Sequence, residues 1–147
     1  MLRFAAVRLL FASLALAGCA GAGGSSAEQD VRVFLSGVFD RPESRLLVPS
    51  VAFVGEYAVA GWIQDGRGGR TLLKRSADGW EFVVCGGEEL RTSAGLREAG
   101  LPVALIEPMA QAVQASEASL PAPQRAMLGD FKGLMMMDGA GHAPPKR

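Results

Sequence analysis

The chain has 147 residues, 49% of them hydrophobic and 20% charged, enough for one modest core and a single domain. Its 15 basic and 15 acidic residues balance, and removing an N-terminal export segment that carries Arg3 and Arg8 leaves 13 basic against 15 acidic. A slightly acidic domain presents no basic surface to DNA or RNA, which excludes nucleic acid as a partner.

In chain order, the first element is an export signal. Arg3 precedes an apolar run from Phe4 to Leu16, broken by Arg8 and Ser13 and closed by Leu16-Ala17-Gly18-Cys19. The run is too short and too interrupted to span ~30 Å of hydrocarbon, so it reads as a segment to be removed. Its end resembles a bacterial lipobox, in which small residues at Ala17 and Gly18 let a peptidase close on the backbone. Cleavage after Gly18 would leave Cys19 as a lipidated N-terminus. Each buried acyl CH₂ contributes about 0.8 kcal/mol, so an anchor of two or three chains hardly dissociates. Ala20 stands where an aspartate would resemble an inner-membrane retention signal, which favours the outer membrane. The expected location is therefore the cell envelope, lipid-anchored and facing the periplasm. Residues 1–18 form the signal and residues 19–30 a flexible tether, built on the Ala20 to Ser26 run of Ala, Gly and Ser.

Between Val31 and Phe39, apolar residues at Val31, Phe34, Leu35, Val38 and Phe39 follow one helical face, and Arg41-Pro42 ends the helix. Four strand signals follow, about Val48 to Val54, Tyr57 to Gln64, Arg70 to Arg75 and Trp80 to Cys85. They are separated by Gly55-Glu56, Asp65-Gly66-Arg67-Gly68-Gly69 and Ser76-Ala77-Asp78-Gly79, which read as hairpin connections. Alternation along the fourth strand puts Trp80, Phe82 and Val84 on one face and Glu81, Val83 and Cys85 on the other, less aromatic one. After Glu88 the pattern is helical again: Leu90 and Leu96 with a stop at Gly100, then Leu105, Met109 and Val113, with Pro108 in a first turn, then Pro123 to Gly129. The expected fold is α+β over residues 31–133. A four-stranded antiparallel meander carries an N-terminal helix and C-terminal helices packed on one face, and residues 134–147 form a flexible tail.

Two features carry soft-ligand chemistry. With Cys19 lipidated, Cys85 is the only other cysteine, so no internal disulfide forms. It is either a small buried hydrophobe beneath Gly86-Gly87 or a reachable thiol, and its place at a strand end fits both. In the tail, Met135, Met136 and Met137 are consecutive, and His142 follows in a stretch where Gly139 and Gly141 let it fold back. Thioether and imidazole favour Cu(I) over zinc or magnesium, because polarizable sulfur matches a polarizable ion. In an extended strand Met135 and Met137 point one way and Met136 the other, so at most two thioethers converge. The same run also suits packing against a core, since methionine fills irregular gaps. Cys85 as a thiolate would join two methionines and His142 in a soft coordination set.

Four segments occur in a distinctive order: Val38-Phe39-Asp40-Arg41-Pro42-Glu43, Tyr57 to Gln64, Gly68 to Arg75, and Gly79 to Gly87. Together, over roughly Val31 to Met137, they resemble the exported bacterial copper uptake system-associated proteins. That resemblance implies genes travelling with copper importers and periplasmic copper chaperones, and hence a copper chaperone or importer as partner. Such relatives often carry more histidines in the tail. A single His142 here implies a weak, exchangeable Cu(I) site rather than a tight Cu(II) one.

The rival classes have less to build on. A cysteine nucleophile needs a nearby base, yet the single histidine is His142, close to the C-terminus. Asp40, Glu88 and Glu89 qualify as acids or bases by type alone. The Gly66-Arg67-Gly68-Gly69 turn joins two strands and lacks the helix and lysine of a phosphate loop. The expectation is a protein that is not an enzyme. The alternative is an adaptor that docks another envelope protein through Trp62, Arg70 and an exposed sheet face, aromatic and arginine side chains being the usual anchors.

Overall fold

A computed structural model describes residues 25–142. The expected signal segment, the lipidation residue Cys19 and tail residues 143–147 lie outside the described residues. Among those described, no helix is long and apolar enough to cross a membrane.

The Ser25 hydroxyl accepts the Glu28 N–H at 3.3 Å and caps helix α1 (Ser26–Phe39). The helix thus starts at Ser26, earlier than its apolar stripe suggests. At its far end the Asp40 carboxylate accepts the Leu46 N–H at 2.6 Å and an Arg45 N–H at 3.1 Å. Those contacts, the backbone one first, hold its pKa below the usual carboxylate range and turn the chain into β1 (Leu47–Val54).

Strands β1, β2 (Tyr57–Gln64), β3 (Arg67–Ser76) and β4 (Gly79–Gly86) form the expected antiparallel meander. The β2–β3 turn is only Asp65-Gly66, whose φ values of 53° and 71° give the left-handed pair that a tight hairpin needs. Gly68 and Gly69 therefore belong to β3, not to a loop. A Cβ at Gly69 would sit 2.8 Å from the Trp62 ring, so glycine there lets the neighbouring strand's indole lie flat. A fifth strand, β5 (Met135–Met136), pairs antiparallel with β4 in register Cys85↔Met135 and Val84↔Met136, so the sheet has five strands rather than four.

Helices cover both faces of the sheet, correcting the expectation of one covered face. Ala52, Val59, Leu72 and Val84 pack under a 3-10 turn (Glu88–Arg91), α2 (Ser93–Glu98) and α3 (Val103–Glu117). Val51, Ala58, Ala60, Leu73 and Phe82 pack under Val31 and Leu35 of α1. The cause is in the strands: Ala58, Val59 and Ala60 are consecutive and all buried, so both sides of β2 require cover. A short helix α4 (Ala122–Met127) closes one end.

Two further departures have local causes. Pro108 lies inside α3 rather than in its first turn. It and Ala104, whose carbonyl it leaves without a donor, both face solvent, so water can serve that oxygen. On β4, the partner of Leu72 is Val84 while that of Leu73 is Phe82, so Val83 is the extra residue of a bulge. One inserted residue shifts the alternation, and Cys85 faces the same side as Phe82 instead of the opposite one.

The α3 side also holds a buried ion pair. Arg70 and Glu117 are each 1% exposed, and the guanidinium meets the carboxylate twice, at 2.7 and 2.8 Å. Its remaining nitrogen donates to Gly87 O and Leu128 O at 2.9 and 3.0 Å. One side chain thus ties β3 to α3, to the end of β4 and to α4.

Candidate functional site

The bulge at Val83 and the short strand β5 act together. Antiparallel pairing sets Met135 opposite Cys85, and the two-residue period brings Met137 to the same side. These three side chains line a cavity of about 190 Å³ on the α1 side of the sheet. Leu35 and Phe39 at the end of α1 form one wall, Thr71 and Cys85 the floor, and Trp62 and Phe131 the far end. Trp62 and Phe131 meet edge to face, with centroids 6.4 Å apart.

Cys85 is 9% exposed, and its thiol donates to the Thr71 hydroxyl at 3.6 Å. Burial raises its pKa above the ordinary thiol value, with Thr71 opposing the shift in part, so the neutral thiol is the resting form. Of the two readings open from sequence, the thiol is buried, and it also floors a cavity.

Two polar side chains of the lining, Thr71 and Gln64, are already engaged. Thr71 donates to Val84 O at 3.3 Å, and the Gln64 amide donates to Phe39 O and Ser44 O at 2.8 and 3.0 Å. What the cavity offers an occupant is sulfur, hydrocarbon and the indole of Trp62.

The expected ligand residues divide into two groups. Cys85, Met135 and Met137 come together. Met136 points to the other side and is 55% exposed. His142 sits in a closed turn of its own, where the Asp138 carboxylate accepts its backbone N–H at 2.7 Å and lies 3.2 Å from its Nδ1. The His142 N–H, followed by the His142 ring, keeps the Asp138 pKa low. Gly141, at φ 95°, lies flat against the Phe82 ring, and His142 is not part of the cavity lining. Among the described residues no three of His, Cys, Asp and Glu gather as metal ligands, so sulfur is the donor set at hand.

The two adaptor residues, Arg70 and Trp62, are placed differently from one another, and the second tryptophan, Trp80, differently again. Arg70 is consumed by Glu117 and carbonyl groups and cannot serve as a surface anchor. Trp80 packs on Phe53 and beneath Arg75, whose guanidinium carbon is 4.5 Å from its ring centre. Trp62 is half-buried and lines both the sulfur cavity and a second one with Arg67, Gly68, Asp130 and Phe131.

Sequence reasoning missed Thr71, Leu46 and Phe131, which all line the cavity. A lone aromatic in the turn-rich run Gly129-Asp130-Phe131-Lys132-Gly133 was the one available signal, since such a residue in a polar loop usually has a packing partner. No family model, curated protein or solved structure matches this chain.

Proposed function

We propose that this chain is a lipid-anchored, periplasm-facing accessory protein of copper uptake that holds Cu(I) transiently between Cys85, Met135 and Met137. The observation that carries the reading is the Cys85↔Met135 pairing, which gathers one thiol and two thioethers in one cavity. Soft donors of this kind select a monovalent soft ion. Binding displaces the Cys85 proton, and release returns it, so metal passes to a copper chaperone or importer by ligand exchange without covalent catalysis. A site with thioethers and a thiol reluctant to ionise holds metal weakly, as a relay requires. Titrating the detergent-solubilised full chain with Cu(I) against a chromophoric chelator tests it. One equivalent bound, and lost in Cys85→Ser, supports the reading, and no competition at any pH from 6 to 9 rejects it.

A second reading, an adaptor for another envelope protein, draws on Trp62 and Phe131, which the two neighbouring cavities share. It requires no metal. Trp62→Ala would then abolish complex formation in the envelope while leaving copper binding intact.

A further inference from the structure

We propose that the cavity over Cys85 also binds a small neutral organic molecule, a single aromatic ring carrying one hydrogen-bond acceptor, with the Trp62 indole N–H as the donor to that acceptor. The proposal does not depend on copper.

Size sets the first limit on an occupant. An engineered apolar cavity of about 150 Å³ takes up benzene, and this one measures about 190 Å³, which leaves room for a ring bearing a short substituent. A monovalent ion fills little of it.

The lining selects a ring over other apolar shapes of that size. Phe39, Trp62 and Phe131 supply three aromatic side chains, and aromatic groups attract one another edge to face or offset, beyond what area burial contributes. Met135 and Met137 add thioether sulfur, which packs favourably at ring edges. Among the described residues no charged side chain lines the space, so an ionised ligand would give up its hydration without a counter-charge. The occupant is therefore neutral.

One strong donor is left over for orientation. The Thr71 hydroxyl is directed at Val84 O, the Gln64 amide at Phe39 O and Ser44 O, and the weak Cys85 thiol at Thr71. Among the described residues the Trp62 indole N–H meets no acceptor, and the only unpartnered side-chain nitrogen sealed from solvent is Arg91 Nε. The indole nitrogen is thus unpaired and within reach. A carbonyl or hydroxyl oxygen on the ring gives it a partner, and an apolar lining with very few orienting polar groups is the ordinary form of a small-molecule site. A ring seated against Met135 and Met137 takes the place of the metal ion proposed above, so the two compete, and the test uses metal-free protein.

The detergent-solubilised full chain, labelled with carbon-13-methyl methionine, is titrated by NMR with acetophenone and, separately, with ethylbenzene, which carries a methylene in place of the carbonyl. Detergent takes up the same share of each probe whatever the variant. Saturable shifts at the Met135 and Met137 methyls, with Met136 and Met109 unmoved, support the proposal. Trp62→Phe should weaken acetophenone about fivefold through the loss of one hydrogen bond, and leave ethylbenzene within about twofold. Cys85→Leu fills the cavity from its floor and should abolish saturation by both probes, with an unchanged Met109 resonance showing that the opposite core is intact. Shifts that stay linear with probe concentration in the wild type overturn the proposal, as does saturable binding that survives Cys85→Leu. An acetophenone affinity indifferent to Trp62→Phe overturns it as well. None of these outcomes bears on the chelator titration with Cu(I), so either reading can fail without the other.

Discussion

The two faces of the sheet solve the same packing problem with different results. On the α3 side, Leu72, Val84, Leu90, Leu96, Ile106 and Met109 are all buried to within 1%, and Arg70–Glu117 pins β3 to three other elements. On the α1 side, the helix ends at Phe39 before it has covered the end of the sheet, and the space beyond it is the sulfur-lined cavity. Close packing on one side gives the strands a rigid frame, and incomplete cover on the other leaves chemistry accessible. Stability and ligand binding should therefore respond to different mutations.

The largest effect belongs to the clamp. Glu117→Ala removes the bidentate partner of the buried Arg70 guanidinium, leaves it only the more exposed Glu88 carboxylate at 3.5 Å, and is expected to cost about 3 kcal/mol, read as a lower urea midpoint. A well-packed apolar replacement of both partners should recover most of that loss. If Glu117→Ala instead weakened copper binding in protein that remained folded, the division between the faces would fail.

The next effect lies on the other face. Replacing Met135 and Met137 by leucine should lower Cu(I) affinity by at least about tenfold, while stability changes by less than about 1.5 kcal/mol. Equal affinity in wild type and variant would leave the cavity without a metal role.

Much of this architecture was legible from residues alone. The α1 stripe is visible because Val31, Phe34, Leu35 and Phe39 recur at helical spacing, and the hairpins because Gly55, Asp65-Gly66 and Asp78-Gly79 mark turns. The convergence of Cys85 with the methionines was not, because it depends on a bulge. Val83 carries no signature as the extra residue, since a bulge belongs to the register between two strands rather than to either sequence. The Met135–Met136 strand is too short for an alternation to show. Arg70 and Glu117 lie 47 positions apart, and neither residue signals from sequence that the other will neutralise it. In each case the missing information is a long-range pairing.

A third test sharpens the contrast through pH. Burial raises the Cys85 pKa, so below that raised value each unit of rising pH should strengthen Cu(I) binding about tenfold, as one proton is released. The folded-state stability follows the opposite sign. The unfolded thiol ionises first, so the stability owed to the neutral buried thiol is complete below the ordinary thiol pKa and declines as pH rises through the folded value. A pH-independent affinity across the neutral range would mean that the thiolate is not a ligand.

The smallest effects should come from the two expected ligands that point elsewhere. Met136→Leu and His142→Ala should leave Cu(I) affinity unchanged and alter stability by no more than about 0.5 kcal/mol, measured by chelator competition and thermal melting. Loss of binding in His142→Ala would return the histidine to the site.

Whether three sulfurs of one cavity share a metal ion can be read directly by X-ray absorption at the copper edge on the Cu(I)-loaded full chain. The account requires a coordination shell of sulfur alone that loses a sulfur in Cys85→Ser and is unchanged in His142→Ala. A shell containing imidazole nitrogen, or one indifferent to Cys85→Ser, would contradict it.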